Sequence, residues 1–152
     1  MNIRAVPLGI IALMLAGRMP LHAEDTLGRL MHATSLRCKF DHGSTASWDK
    51  GRLVLKLVRW GEGGAFVFDS INIKTGKARL VGNNAAGDVN VLVTPGLLTF
   101  IESTPSGNIN ITSVFERSPT FVDDEFVAVT SRHVDIMRPT PSQYHGTCRV
   151  FD

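Results

Sequence analysis

A chain of 152 residues with 43% hydrophobic and 20% charged residues is long and apolar enough for about one domain with its own core, which excludes wholesale disorder. The formal net charge is +2, but residues 1–23 hold Arg4 and Arg18 and no carboxylate, so residues 24–152 balance to zero. Nucleic acid and anionic membrane surfaces need a concentrated positive field. The signs here are interspersed, so neither is expected as a partner.

The N-terminus opens with Met1-Asn2-Ile3-Arg4, continues as an apolar run over 5–17, and becomes polar through Arg18 to the small residue Ala23. This order of a positive segment, an apolar segment and a small-residue cleavage point predicts a signal peptide over 1–23, cut after Ala23. The apolar run is shorter than the ~20 residues a membrane-spanning helix needs. No stable membrane span is therefore expected after cleavage. No cysteine follows the run to carry a lipid. The expected location is periplasmic or secreted, with residues 24–152 forming a single β-barrel-like domain.

Past the leader, Leu27, Leu30 and Met31 fall at i, i+3 and i+4 within 26–35, which allows one short helical turn. Everything beyond reads as strand and turn. Strands are predicted over 36–40, 52–60, 65–72, 77–81, 89–94, 97–103, 109–116, 126–134 and 145–150. Between them stand Gly61-Glu62-Gly63-Gly64, Thr75-Gly76, Gly82-Asn83-Asn84, Pro95-Gly96 and Pro105-Ser106-Gly107-Asn108, all with turn chemistry. Both faces of 52–60 are largely apolar (Leu53, Leu55 and Leu57 against Val54, Val58 and Trp60), which predicts a central strand covered on both sides. Short connections make consecutive strands antiparallel neighbours. The expected class is all-β: an antiparallel eight- or nine-stranded meander closed as a small barrel or rolled sandwich, with no free edges to template aggregation.

The only cysteines, Cys38 and Cys148, fall in the first and last predicted strands. In an exported chain two such thiols form a disulfide. Their wide separation is unlike a Cys-x-x-Cys redox pair, so the bond is expected to be structural.

Chemistry-bearing clusters are few. Ser131, His133 and Asp135 share one strand face at i, i+2 and i+4, the residue types of a nucleophile, base and orienting carboxylate. Residues two apart on a strand are roughly 6.5–7 Å apart, too far for a direct Ser–His bond without favourable rotamers, and no Gly-x-Ser-x-Gly elbow is present. A polar outer strand face is the preferred reading, and no catalytic residue is assigned. His32, His42, His133 and His145 show no paired ligand spacing, and Asp123-Asp124-Glu125 lacks the alternating ligands of a calcium loop, so no metal or other cofactor is expected. Asn110-Ile111-Thr112 matches a glycosylation sequon inside a predicted strand. The aromatics Phe66, Phe68, Phe100, Phe115, Phe121 and Phe126, with Trp48 and Trp60, are assigned to core packing, since small barrels fill their interiors. A ligand cavity is the alternative. Arg132, His133 and Tyr144 are candidates for a ligand or partner surface.

The patterns Phe66-x-Phe68-Asp69-x-Ile71, Leu98-x-Phe100-Ile101-Glu102, Gly107-Asn108, Thr112-x-Val114-Phe115, Ser131-Arg132-His133 and Pro141-Ser142-Gln143-Tyr144-x-Gly146-x-Cys148 resemble a group of small exported proteins of Gram-negative bacteria. That group has no assigned activity, so the resemblance implies export and a single domain and transfers no catalytic residue. In size and terminal cysteine placement the chain is also similar to periplasmic lysozyme-inhibitor barrels, a likeness of architecture alone. The expected function is a non-enzymatic envelope module binding a protein or small-molecule ligand. The alternatives are a hydrolase using Ser131, His133 and Asp135, and a purely structural or stress-related envelope protein.

Overall fold

Side chains on a strand alternate between two faces, and a closed sheet must place one of those faces inside. In the computed structural model, which describes residues 28–61, 65–82, 86–116 and 125–151, this happens around one long strand. The leader expected over 1–23 lies outside the described residues, as do Phe121, Asp123 and Asp124. A single helical turn, α1 (Arg29–His32), precedes β1 (Leu36–Asp49) and β2 (Arg52–Arg59). Then follow β3 (Ala65–Asn72), β4 (Lys77–Val81), β5 (Ala86–Thr94), β6 (Leu97–Ser103), β7 (Ile109–Phe115) and β8 (Phe126–His133). A two-stranded ribbon of β9 (Asp135–Ile136) and β10 (Arg138–Pro139) leads to β11 (Ser142–Val150).

Strands β3 to β8 form an antiparallel meander in sequence order. β11 pairs with β8 on one side and β1 on the other, and β1 pairs with β3, which closes a barrel of eight strands. The expected all-β closed meander is therefore the observed one. The remaining strand, β2, stands outside the ring. β3 takes the edge of β1 over Leu36 to Lys39, and β2 takes the same edge over His42 to Asp49. The β1–β2 hairpin thus projects past the barrel rim. At the junction a bulge between Phe40 and His42 shifts the register against β11, so that Gly43 is turned inward and buried.

Cys38 and Cys148 face each other directly in the β1–β11 seam, both fully buried, and are joined by a disulfide across 110 residues of sequence. The expected clasp from first strand to last is present. Around it lies the filled half of the interior: Leu30 from α1, then Leu36, Leu98, Val114 and Phe126, none more than 1% exposed. Each such side chain contributes about 1.5–3 kcal/mol on burial. The first and last described residues are fastened here. The Gly28 N–H donates to the Glu116 carboxylate, and Phe151 N–H donates to Ser35 O at 3.1 Å.

Strand 52–60 was expected at the centre of the sheet, and the structure corrects this. β2 is an edge strand with one neighbour, and Leu57 is 92% exposed. Its apolar faces lack a covering layer because the interior-facing run of β1 ends at the bulge. β1 and β11 are also longer than expected. Residues 41–49 have no apolar alternation and become strand through pairing with β2 and β11.

Candidate functional site

Beyond the filled half, the barrel opens into a cavity of about 850 Å³ at the pole where the hairpin projects. Its two walls differ in chemistry, for reasons visible in the strand register. Glu102, Asn110 and Arg132 are consecutive cross-strand partners on β6, β7 and β8, and one layer deeper Phe100, Thr112 and Thr130 are likewise aligned. Opposite partners share a face, so three neighbouring strands each turn a polar side chain into the cavity at the same height. The facing wall is aromatic, built from Trp60, Phe66 and Phe68.

The rings order one another, and at the floor they join the two walls. Phe68 and Phe100 stack with centroids 3.8 Å apart, Phe66 meets Phe68 edge-on at 5.3 Å, and Tyr144 packs edge-on against Trp60 at 4.5 Å. Trp60 sits where β2 leaves β1, held by its N–H to Asp41 O at 2.6 Å. Arg132 crosses the mouth with its guanidinium carbon 5.7 Å from the Trp60 ring, within cation–π range. Among the described residues no carboxylate forms an ion pair with it.

Polar satisfaction on the other wall is incomplete. Thr112 Oγ1 donates to Thr130 Oγ1 at 2.9 Å, both side chains buried. The Asn110 amide donates to Glu102 Oε2, but its carbonyl oxygen Oδ1 is buried with no partner. Buried polar atoms are nearly always satisfied, so Asn110 Oδ1, which has no accessible surface, is a local cost of building this polar wall. The site therefore offers an aromatic face, an unpaired guanidinium and a carboxylate. That set suits holding a flat or apolar body with a polar end.

Of the three residues singled out from sequence for a recognition surface, Arg132 lines this cavity and Tyr144 braces its Trp60 wall. His133, next to Arg132 on β8, points to the opposite, exposed face and does not join them. Ser131 shares that outer face, and its hydroxyl accepts from Gln143 Nε2 at 3.2 Å. Asp135 begins β9, where its N–H is bonded to Asn108 Oδ1 at 2.9 Å. Among the described residues no group of three or more His, Cys, Asp or Glu is placed to hold a metal, and no helix is long and apolar enough to cross a membrane.

The aromatics divide. Phe126 is core, and Phe66, Phe68, Phe100 and Trp60 bound the cavity, whereas Trp48 and Phe115 are 47% and 36% exposed on the outside. Glu102, Asn110, Thr112 and Thr130 escaped the sequence reading. The available signal was that the inward faces Leu98-Phe100-Glu102, Val114-Thr112-Asn110 and Ala128-Thr130-Arg132 all turn polar toward the same end once the hairpins are aligned. Comparison of the chain with protein-family models, with curated proteins and with solved structures finds no match.

Proposed function

We propose that the protein is an exported, non-enzymatic binding barrel that takes a small amphipathic ligand into the cavity at its open pole. The observation that carries this reading is Arg132, without an ion-pair partner among the described residues, set at the mouth of the cavity against an aromatic wall. Aromatic side chains supply contact area, and a few placed polar groups fix orientation, the usual division of labour in small-molecule sites. Export is supported by the leader pattern of residues 1–23 and by the buried Cys38–Cys148 bond, of a kind that forms and persists chiefly in oxidising compartments. The resemblance to small exported proteins of Gram-negative bacteria points the same way.

The test uses the chain from Glu24 onward, which carries every described residue, and the fluorescent probe anilinonaphthalene sulfonate, whose fused rings and anionic end match the two walls. Saturable one-site binding is expected. Arg132→Gln, which removes a charge-assisted hydrogen bond, should weaken it by about tenfold or more. Absence of saturable binding, or equal binding by the variant, would sink the proposal.

A further inference from the structure

We propose that the β1–β2 hairpin is a docking surface for an anionic phospholipid bilayer. Alternation along β2 places Leu53, Leu55 and Leu57 on one face, and the register aligns them with Trp48, Ala46 and Ser44 of β1. This face points away from the cavity, since Gly43 and Trp60 hold the other one inward. The three leucines are 56%, 68% and 92% exposed and Trp48 is 47% exposed. A contiguous strip of exposed leucines with a tryptophan near the tip is not the scattered apolar exposure of an ordinary surface.

Charge selects the occupant. Residues 42–59 carry Lys50, Arg52, Lys56 and Arg59 against the single carboxylate Asp49, a net +3, so the rest of 24–152 must carry −3. Among the described residues none of the four cations is ion-paired. The neutral total therefore conceals a positive finger. Arg52 and Lys56 lie on the face opposite the leucines by alternation. A ribbon with leucine and tryptophan on one face, Arg52 and Lys56 on the other, and Lys50 and Arg59 near its two ends has the layout of interfacial membrane-binding segments. Leucines reach the acyl boundary while long Lys and Arg chains stay among phosphates, where each adds to the attraction of an anionic surface.

The backbone sets the depth. β2 has one neighbour, so its outer edge presents unpaired N–H and C=O groups. These need water or headgroup oxygens and cannot enter hydrocarbon, so the hairpin lies in the interface and does not span. A second copy of the chain is the competing occupant. Stacking two leucine faces would bring two +3 ribbons together and bury Arg59, which shares the leucine face, in the contact. An anionic headgroup layer complements the same charges.

The test is flotation of the chain from Glu24 onward with vesicles of equimolar phosphatidylcholine and phosphatidylglycerol, against vesicles of phosphatidylcholine alone. Binding to the anionic vesicles is expected, reduced by added salt and accompanied by a blue shift in emission that Trp48→Phe removes. Leu55→Asp with Leu57→Asp should lower partitioning by more than about tenfold, with an unchanged melting curve because both side chains already face solvent. Lys56→Glu should also weaken it, and Arg132→Gln, on the other face, should not. Equal binding to both vesicle types overturns the proposal, as does retention by the double variant. So does a dimer that the double variant dissociates in the absence of any vesicle binding.

Discussion

Gly146→Ala should be far more damaging than its small size change implies. Gly146 sits in β11 opposite Phe40, at the bulge where β1 leaves the barrel. A Cβ built there lies 2.7 Å from Phe40 Cα and closer still to the Lys39 carbonyl oxygen. Both neighbours are backbone, so no side-chain rotation relieves the contact, and the β1–β11 seam that closes the barrel must part locally. Overpacking typically costs 1–3 kcal/mol. A backbone clash belongs at the upper end, about 3 kcal/mol, or about a 10 °C fall in melting temperature for a domain of this size. Gly87→Ala is the matched control, a strand glycine with nothing within 4 Å of its added Cβ. It should leave stability within about 0.5 kcal/mol or raise it slightly by restricting the unfolded chain. Urea unfolding followed by tryptophan fluorescence measures both, with equal slopes confirming that only stability has changed. If the two variants unfold at the same midpoint, the seam is not packed as described.

Reduction of Cys38–Cys148 opens a covalent loop of 110 residues and should cost about 4–5 kcal/mol on the chain-entropy account. An unchanged unfolding midpoint in protein whose thiols are shown to be free would contradict it. At the buried Thr112–Thr130 bond, either Thr→Val alone strands one hydroxyl and should cost about 1–2 kcal/mol. The double variant should cost less than the sum, and additive losses in a double-mutant cycle would show that the pair is not coupled.

The fold was legible wherever an apolar strand ended in Gly, Pro or Asn. The bounds of β3, β4 and β6 match the sequence expectation because Thr75-Gly76 and Pro95-Gly96 leave the backbone little choice. Residues 41–49 were not legible. Asp41 to Asp49 has no alternating pattern of its own, and its strand conformation comes from partners on both sides. For β2 the apolar pattern on both faces is real, but cover on both faces does not follow from it. Apolar residues on both faces indicate cover on both faces only if the strand lies within the closed ring, and which of two successive strands takes the edge of β1 is a tertiary matter.

The candidate site was half visible. Arg132 and Tyr144 come together at the mouth because β8 and β11 are neighbours. His133 was grouped with them by adjacency along the chain, although the period of two sends it outward. Glu102 and Asn110 required knowing the pairing of β6 with β7. Alternation assigns a face, but only register assigns a height in the barrel.

The fastening of both ends of the described chain at the filled pole gives the molecule a direction. Gly28 and Phe151, the first and last described residues, are held beside Glu116 and Ser35, at the far end from the cavity and the hairpin. A tether at position 28 or 151 would therefore lie at the pole opposite the mouth. Immobilised at that pole, the protein would present its mouth and its leucine finger outward together, in the orientation that surface-capture measurements of either binding activity require.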